Sequence, residues 1–359
     1  MNYISLLQQT YKGKKVLLTG HTGFKGSWML AWLHKLGCMV KGFALAPQHE
    51  NDLYCLIEGD RLCDSVIADI RDRELLITTI LDFSPDFIFH FAAQPLVRRS
   101  YAMPVYTFDV NVTGTLNVLE AIRSLNSKCI AIIVTTDKVY ENNETGQAYK
   151  VDDKLGGHDP YSASKAAAEI LVSSYRNSFF DPAAFSNHQK SIASARAGNV
   201  IGGGDRSEDR IIPDIIRGLE NNQTIQVRNP NAVRPWQFVL EPLGGYLLLG
   251  AMLEKDPQQY AGAWNFGPYV DDVLTVRQVV DQALRIFGSG DYNTPSQVGQ
   301  PHEAGLLNLD IEQTVLRLGW KPKLNSSEAI EKTIQWYKAV PRGNALSYTL
   351  EQLDQYTGL

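Results

Sequence analysis

The chain has 359 residues, of which 44% are hydrophobic and 20% are charged, a composition typical of a soluble globular protein. This length is enough for about two domains. The 34 Lys and Arg residues against 39 Asp and Glu residues give a net charge of −5, which argues against a nucleic-acid-binding surface and against a polybasic membrane anchor.

The cysteines and the N-terminal residues indicate the cellular compartment in which the protein is located. The four cysteines form no Cys-x-x-Cys pair, so the sequence predicts neither a disulfide framework nor a zinc site. The seven histidines are scattered, so no other metal site is expected. Residues 1–13 lack the apolar core of a signal peptide, and no apolar run approaches the roughly 18 residues of a membrane span. We therefore expect a cytoplasmic protein.

The first predicted unit is a strand, a glycine turn and a helix. Residues 15–19 are mostly apolar and predict a buried strand, and residues 28–36 have the apolar spacing of a helix that ends at Gly37. The turn between them consists of Gly20, His21, Thr22, Gly23, Phe24, Lys25 and Gly26. Glycines let the backbone approach a pyrophosphate, which then meets free N–H groups at the start of the helix. This context predicts a dinucleotide site; a tight turn without a ligand is the alternative.

The second predicted strand, residues 39–45, leaves the type of nicotinamide cofactor open. An NAD site usually places an acid near the end of this strand, for the ribose 2′-hydroxyl, and an NADP site an Arg. Here the first acid is Glu50, and no Arg lies nearby. His21 also puts an imidazole in the turn that must approach the pyrophosphate. We favour NAD over NADP and hypothesise that NAD is held weakly.

Strands and helices alternate along the first 200 residues. Further strands are predicted at 66–72, 87–95, 129–134 and 191–197, and helices at 104–123 and 161–176. This alternation predicts an α/β fold with a Rossmann-like doubly wound parallel sheet. Ligands of such sheets lie at the carboxyl ends of the strands. The glycine turn, the segment Ala92, Ala93 and Gln94, and residues 135–138 all fall at that edge.

The alternation loosens after residue 195. Helices are predicted at 211–219, 242–255, 275–287, 311–318 and 326–338, and strands at 224–227 and 262–267. We assign residues 1–195 to a dinucleotide-binding domain, to which later segments, about 236–265, return. Residues 196–359 form a smaller mixed α/β domain that binds the substrate.

Tyr161 and Lys165 are four residues apart on a predicted helix and therefore share one face. A free tyrosine has a pKa near 10, and lowering it to about 7 takes about 4 kcal/mol. A neighbouring ammonium and a cationic nicotinamide ring supply part of this. Tyr161 then takes a proton from a substrate hydroxyl while hydride leaves the same carbon, and Thr135 is expected to hydrogen-bond that hydroxyl. A solvated helix face is the alternative.

Asp137 and Lys138 are an additional acid and base that hydride transfer does not require. Once a sugar carbon is oxidised to a ketone, the neighbouring C–H becomes acidic, and loss of water needs a base at this C–H and an acid at the departing hydroxyl. Asp137 as acid and Lys138 as base supply both. The two adjacent groups must share protons as a coupled pair for this to work. A surface salt bridge at the end of a strand is the alternative.

Several motifs together resemble the extended short-chain dehydrogenase/reductase superfamily. They are Thr19-Gly20-x-x-Gly23-Phe24-x-Gly26, Asp69-Ile70-Arg71, Ala92-Ala93, Asn111-x-x-Gly114-Thr115 and Tyr161-x-x-x-Lys165. Three later motifs are similar to its nucleotide-sugar branch: Arg234-x-Trp236-x-x-Val239, Asn265-Phe266-Gly267 and Leu318-Gly319-Trp320-Lys321-Pro322. Residues 135–140 resemble the 4,6-dehydratases of this branch, although Lys138 replaces the Glu of the dTDP-glucose enzymes. The resemblance covers residues 13–337.

The resemblance implies roles for individual residues. Asn111 orders the catalytic groups, and Asp69 and Ile70 meet the adenine ring. The implied cofactor contacts are Gly20, His21, Gly23, Phe24, Gly26, Asp69, Ile70, Ala92, Ala93, Gln94, Tyr161 and Lys165. Arg234 pairs with the substrate diphosphate, because a planar guanidinium suits phosphate oxygens. The other implied substrate contacts are Asn199, Arg210, Asn265 and His302. A surface or packing role is the alternative for each.

The implied activity is removal of water from CDP-glucose with one NAD, in a homodimer, as a step of deoxysugar synthesis for a lipopolysaccharide O-antigen. A 4,6-dehydratase acting on dTDP-glucose or a UDP-linked amino sugar is one alternative. A nucleotide-sugar epimerase is another, since it needs Tyr161 and Lys165 but not Asp137 and Lys138. A non-catalytic dinucleotide-binding regulator is a third. Composition does not indicate the nucleotide base, which rests on the resemblance.

Overall fold

A seven-stranded parallel sheet forms the centre of the computed structural model, which describes residues 3–143, 146–295, 307–340 and 344–358. The strands are β1 (Lys15–Thr19), β2 (Met39–Ala44), β3 (Asp64–Ile67), β4 (Phe87–His90), β5 (Cys129–Val134), β6 (Ala148–Tyr149), β7 (Lys190–Ala197), β8 (Asn199–Ile201), β9 (Ile225–Gln226), β10 (Val233–Arg234), β11 (Trp236–Phe238), β12 (Gly262–Phe266), β13 (Leu274–Thr275), β14 (Tyr292–Asn293) and β15 (Asn308–Leu309). The sheet order is β12-β7-β5-β4-β1-β2-β3, with parallel pairing throughout. The predicted Rossmann-like α/β fold is confirmed.

Helices cover both faces of this sheet. They are α1 (Tyr3–Tyr11), α2 (Phe24–Lys35), α3 (Leu53–Leu56), α4 (Arg73–Phe83), α5 (Val97–Ala102), α6 (Pro104–Phe108), α7 (Gly114–Ser124), α8 (Pro160–Ser178), α9 (Phe185–His188), α10 (Ile211–Glu220), α11 (Leu240–Lys255), α12 (Pro257–Tyr260), α13 (Val276–Phe287), α14 (Ser326–Ala339) and α15 (Ala345–Thr357). Short 3₁₀ turns span Gly59–Arg61, Asp137–Val139 and Pro182–Ala184, and π turns span Asp109–Thr113 and Thr314–Leu318. The sequence analysis did not predict α1 or α15.

The core lies on the two faces of the sheet because its inner strands are covered on both sides. All six residues of β5 are buried, as expected for a central parallel strand. One cluster includes Trp28 and Trp32 of α2, and the other packs α4 and α7 against the opposite face. The largely apolar α11 is buried against β5 and β7. The sheet edge beyond β7 is formed by β12, which comes from a late segment of the chain.

The remaining strands form four short two-stranded pairs: β8 with β11, β10 with β13, β9 with β14, and β6 with β15. The four cysteines are unpaired. No helix in the described ranges is long and apolar enough to cross a membrane. The same residues contain no group of three or more His, Cys, Asp or Glu side chains arranged to hold a metal ion.

Candidate active site

A cavity of about 590 Å³ opens at the carboxyl ends of the strands, between the sheet and the C-terminal part of the chain. The glycine turn contributes Phe24 and Lys25 to its wall, and α8 contributes Tyr161. The segment after β5 contributes Thr135, Thr136, Asp137 and Lys138. Of the three segments predicted to meet at this sheet edge, the glycine turn and residues 135–138 share the cavity wall, whereas residues 92–94 do not line it.

The glycine turn has the close packing that a pyrophosphate-binding turn requires. Gly20 has a φ of +74°, and a Cβ there would lie 2.7 Å from the backbone nitrogen of Ala92. A Cβ on Gly26 would lie 2.0 Å from the carbonyl oxygen of Gly20. Gly23 precedes the first turn of α2 in an extended conformation, with no side chain capping the helix. The free N–H groups at this helix start suit an anionic dinucleotide backbone.

The imidazole of His21 does not project from the turn. It is fully buried, its Nε2 lies 2.8 Å from Ser65 Oγ, and its ring packs edge-on against Tyr54 at 5.2 Å. A Cβ on Gly42 of β2 would lie 2.5 Å from this ring. Burial lowers the pKa of His21 to about 4, so the ring is neutral at pH 7. Weak binding of NAD stays a prediction. The position of the His21 ring does not support a direct contact with the pyrophosphate as the reason for it.

The two threonines after β5 point in different directions, as successive residues of an extended segment do. Thr135 Oγ1 donates to Glu169 Oε1 at 2.5 Å. The Thr135 hydroxyl is therefore directed at Glu169 on α8. Thr136 Oγ1 donates to Asp137 Oδ1 at 2.8 Å, and its hydroxyl also contacts the Tyr161 phenol. The hydroxyl that contacts Tyr161 is therefore that of Thr136, a residue to which no role was assigned from the sequence.

Glu169 lies one turn beyond Lys165 on α8 and connects several buried side chains behind the cavity wall. Its carboxylate accepts hydrogen bonds from Thr135, from Ser194 Oγ at 2.6 Å and from Arg196 Nη2 at 2.9 Å. Glu169 and Arg196 are almost completely buried, and the guanidinium lowers the pKa of this carboxyl against the opposing effect of burial. This ion pair connects Glu169 on α8 to Arg196 on β7.

Asp137 and Lys138 form an ion pair in the 3₁₀ turn after β5. Lys138 Nζ lies 3.2 Å from Asp137 Oδ1, the same oxygen that accepts from Thr136. The Asp137 side chain is 3% exposed, whereas that of Lys138 is 27% exposed and faces the cavity. A carboxylate and an amine thus meet at the cavity wall, and the carboxylate is almost completely buried.

Tyr161 and Lys165 are both buried on α8, and of the two only Tyr161 lines the cavity. Burial raises the pKa of Tyr161 to about 12, while the Thr136 hydroxyl and the Arg210 guanidinium pull it down and Asp137 raises it. Burial lowers the pKa of Lys165 to about 8, and its Nζ donates to the Val134 carbonyl at 3.1 Å. The groups that favour the phenolate thus include Thr136 and Arg210, which the sequence analysis had not linked to it.

Lys25 is a further cation that the sequence analysis missed. It follows Phe24 in the first turn of α2, and its side chain lines the cavity. Burial, with Arg210 and Lys165 nearby, lowers the pKa of Lys25 to about 7, while the Asp137 and Asp205 carboxylates raise it. The signal in the sequence was a lysine between Phe24 and Gly26, in a turn that contains no other Lys and no Arg, Asp or Glu.

Asn111 lies in the π turn between α6 and α7 and connects three elements. Its Oδ1 accepts from the Gln94 backbone N–H at 2.8 Å, and its Nδ2 donates to Ser164 Oγ at 2.8 Å. Ser164 in turn donates to the Tyr161 carbonyl at 2.7 Å. The π turn places this amide inward, a common use of such turns at functional sites. Asn111 thereby ties the β4 exit to the start of α8.

The remaining cofactor candidates lie beside the glycine turn. Ala92 and Ala93 follow β4, and the Ala92 N–H hydrogen-bonds to Thr19 Oγ1 at 3.2 Å. Asp69 pairs with Arg71 at 2.7 Å, which lowers the pKa of the Asp69 carboxyl. Ile70 is buried where a Cβ on Gly114 would lie 2.7 Å from its side chain. None of these residues lines the reaction cavity, so an adenine contact stays a prediction.

The residues predicted to contact the substrate lie in different parts of the structure. Asn199, Arg210 and Arg234 line the cavity, and Arg210 Nη1 lies 3.0 Å from Asp205 Oδ2. Asn265 does not line it: the residue is fully buried, accepts from the Tyr140 hydroxyl at 2.7 Å and donates to the Tyr149 carbonyl at 2.9 Å. Its expected substrate contact is replaced by a link within the protein. His302 lies outside the described residues.

Comparison with known proteins agrees with this architecture. The family model described as GDP-mannose 4,6 dehydratase matches residues 17–333. The chain belongs to this family of nucleotide-sugar enzymes within the short-chain dehydrogenase/reductase class. The CDP-glucose 4,6-dehydratase of Salmonella typhimurium is 44% identical over 333 residues, which cover 93% of each chain. The CDP-paratose 2-epimerase of Salmonella typhi is 25% identical and covers 91% of this chain and 100% of its own.

Solved structures show the same fold at low sequence identity. The dTDP-glucose 4,6-dehydratase DesIV of Streptomyces venezuelae, solved with NAD bound, has a TM-score of 0.74 at 22% identity and covers 90% of this chain and 97% of its own. The UDP-glucose 4-epimerase of Thermotoga maritima has a TM-score of 0.77 at 20% identity and covers 91% and 99%. Because this fold carries both dehydratases and epimerases, activity must be argued from the site.

Proposed function

We propose that this protein is an NAD-dependent lyase that converts CDP-D-glucose to CDP-4-dehydro-6-deoxy-D-glucose. The observation that carries the proposal is the Asp137–Lys138 pair, which shares the cavity with Tyr161. The 44% identity to a CDP-glucose 4,6-dehydratase over nearly the whole chain supports the choice of substrate. The reaction consists of oxidation at C4, loss of water across C5 and C6, and reduction at C6.

The first step uses the Tyr161 half of the site. Tyr161 accepts the proton of the C4 hydroxyl, and Thr136 and Arg210 favour its phenolate form. NAD, when bound, takes up hydride from C4 and returns it to C6, so that it is not consumed. The residues suited to hold it are those of the glycine turn, which receive a pyrophosphate at the start of α2, and Lys165. Asn111 hydrogen-bonds to Gln94, which follows β4, and to Ser164 on α8. These bonds fix the position of Tyr161 relative to the glycine turn.

The second step uses the Asp137 half. With a ketone at C4, Lys138 takes the acidified C5 proton and Asp137 gives a proton to the hydroxyl that leaves C6 as water. Lys138 later returns a proton to C5. Two protons leave the sugar, from the C4 hydroxyl and from C5, and two are delivered, to the departing hydroxyl and back to C5. Asp137 Oδ1 is within hydrogen-bonding distance of both Lys138 and Thr136, which supports exchange of protons within this group.

The experiment that tests this function is a substrate panel in D₂O. The protein is incubated with NAD and with CDP-glucose, dTDP-glucose, UDP-glucose or a UDP-linked amino sugar, and the products are analysed by NMR. We expect a 4-keto-6-deoxy product with deuterium at C5 from CDP-glucose. Turnover of only another nucleotide sugar would refute the substrate assignment, and a C4 epimer formed without loss of water would refute the dehydratase assignment.

We also propose that the protein is a homodimer. Val105 and Phe108 on α6 and Ile170 on α8 are exposed apolar residues, with 74%, 39% and 60% of each exposed. Helices α6 and α8 pack against each other, so we propose that these side chains contribute to one apolar surface. Exposed apolar patches of this kind support an isologous contact with a second copy.

The wider role follows from the chemistry. We propose that residues 1–195, with returning segments at about 236–265, bind NAD, and that residues 196–359 bind the nucleotide sugar. The product would enter deoxysugar synthesis in the cytoplasm for a surface polysaccharide such as an O-antigen. Detection of the 4-keto-6-deoxy nucleotide sugar in extracts, and its loss on deletion of the gene, would test this role.

A further inference from the structure

The C-terminal part of the chain contributes an ion pair to the cavity wall. Arg228 Nη1 lies 2.5 Å from Asp209 Oδ1, and Arg228 Nη2 lies 3.6 Å from Asp214 Oδ2. Arg98 reaches the same Asp209 oxygen at 3.7 Å from the N-terminal part of the chain. All four residues line the cavity, and neither Arg228 nor Asp209 contributes to the reaction as derived above.

This cluster is poorly suited to a phosphate group. Arg228 already faces two carboxylates, and a diphosphate placed against it would also lie close to Asp209 and Asp214. A neutral ligand with both donors and acceptors suits the pair better, because an ion pair presents N–H donors and carboxylate acceptors side by side. The pair uses only part of its capacity: a guanidinium has five N–H donors, and a carboxylate accepts about four hydrogen bonds.

The surrounding wall combines amide groups with apolar surface. Gln226 and Asn229, on either side of Arg228, add amide groups, and Ala232 and Val276 add apolar surface. The side chains of Arg228 and Asp209 remain 25% and 39% exposed, so both can be reached from the cavity. Specific small-molecule sites commonly combine apolar walls with a few directed polar groups.

We propose that Arg228 and Asp209 recognise the hydrogen-bonding edge of cytosine and thereby select the nucleotide of the substrate. Cytosine carries an amino donor at position 4 beside acceptors at N3 and O2. The amino group donates to the Asp209 carboxylate, and N3 and O2 accept from the Arg228 guanidinium. This assignment rests on the proposed function, since it assumes that a cytidine nucleotide enters this cavity.

The same pair excludes uracil and thymine. These bases carry a carbonyl oxygen at position 4 and an N–H at position 3, so an oxygen would face the Asp209 carboxylate and an N–H would face the guanidinium. A ligand that leaves buried polar groups unpaired or opposed is rejected more strongly than one that only loses contact area. A good two-point contact to a base discriminates by about 1–3 kcal/mol, or roughly five- to 150-fold in affinity.

Binding of nucleotides to the whole protein without NAD tests the proposal. Calorimetry with CDP and with UDP should show tighter binding of CDP by about tenfold or more. Asp209→Asn offers an amide that can donate to the carbonyl at position 4, so the preference should shrink towards equality or invert in favour of UDP. Asp209 has a φ of +58°, a conformation that Asn also adopts, so this variant should keep the backbone. Arg228→Gln should weaken the binding of CDP more than the binding of UDP.

The matched control is Arg206→Gln. Arg206 forms an ion pair with Glu220 at 2.6 Å in the same part of the chain but does not line the cavity, so this change should leave the CDP-to-UDP ratio as in the wild type. Equal binding of CDP and UDP by the wild type, or an unchanged ratio in Asp209→Asn, would overturn the proposal. Failure of the proposed function would give a different result: the protein would bind CDP more tightly than UDP but would not dehydrate CDP-glucose.

Discussion

At the scale of single residues, Lys138 is the group whose role separates elimination from simple hydride transfer. Lys138→Ala removes the proposed base for the C5 proton and should slow product formation by about 10²- to 10⁴-fold, while NADH should still form transiently. Stopped-flow absorbance would follow the NADH and NMR the product. Lys154→Ala is the matched control, because Lys154 forms an exposed ion pair with Glu141 at 2.9 Å, outside the cavity wall. Normal dehydration by Lys138→Ala would mean that Lys138 is not the base.

Thr136 affects the ionisation of the tyrosine. Its hydroxyl lowers the pKa of Tyr161, so Thr136→Val should raise that pKa. The base must be deprotonated to act, and a higher pKa therefore moves the rising limb of the pH–rate profile of hydride transfer to higher pH. Single-turnover NADH formation between pH 6 and pH 9 would measure this shift, and Thr136→Ser, which retains the hydroxyl, should restore the wild-type profile. An unshifted profile in Thr136→Val would count against this role.

The sequence predicted the types of side chain in the site better than their directions. It singled out Asp137, Lys138 and Tyr161, which share the cavity wall, because each lies in a motif with its own chemistry, and their catalytic roles stay predictions. It favoured Thr135 over Thr136, but the Thr135 hydroxyl donates to Glu169, a partner 34 residues away along the chain, and the Thr136 hydroxyl contacts Tyr161. Such long-range partners leave no local pattern in the sequence.

At the scale of elements, β4 carries a buried histidine that links β1 to α7. His90 Nδ1 lies 2.7 Å from Thr19 Oγ1, and its Nε2 lies 3.1 Å from Thr115 Oγ1. Burial lowers the pKa of His90 to about 3, and burial also lowers that of His21 to about 4. Both rings are therefore neutral in the folded protein at pH 5, whereas both are mostly protonated in the unfolded chain.

These histidines should make the protein less stable in mild acid. The unfolded state binds more protons below pH 6.5, so stability is fully present above this pH and is lost as the pH falls towards the folded-state pKa values. At pH 5 each histidine should reduce the free energy of unfolding by about 2 kcal/mol relative to pH 7. Urea denaturation at both pH values measures this, and His90→Gln should remove about half of the difference. An equal difference in that variant would contradict the prediction.

Element boundaries followed the hydrophobic pattern where a strand is central. The predicted strands at 15–19 and 129–134 coincide with β1 and β5. The predicted helix at 104–123 is interrupted by the π turn Asp109–Thr113, because inward placement of Asn111 depends on partners in other elements. The helices α1 and α15 were missed because their apolar faces pack on α11 and α2, and this packing is not visible in a local window.

At the scale of the whole molecule, the proposed dimer depends on the apolar face of α6 and α8. Ile170→Glu places a charge on this face and should convert a particle of twice the 40.0 kDa chain mass into a monomer. Light scattering coupled to size-exclusion chromatography measures the mass. Leu316→Glu is the matched control, since Leu316 is 74% exposed on a separate part of the chain. A wild-type monomer, or a dimer that survives Ile170→Glu, would contradict this interface.

The central claim is that hydride transfer and elimination occur on one sugar in one cavity, and a label at C4 tests it most directly. CDP-glucose carrying deuterium at C4 is converted with NAD in ordinary water, and the product is analysed by NMR and mass spectrometry. The account predicts a 4-keto-6-deoxy sugar with that deuterium at C6 and no net formation of NADH. Deuterium retained at C4 of an epimerised sugar, or found in accumulated reduced cofactor, would contradict it.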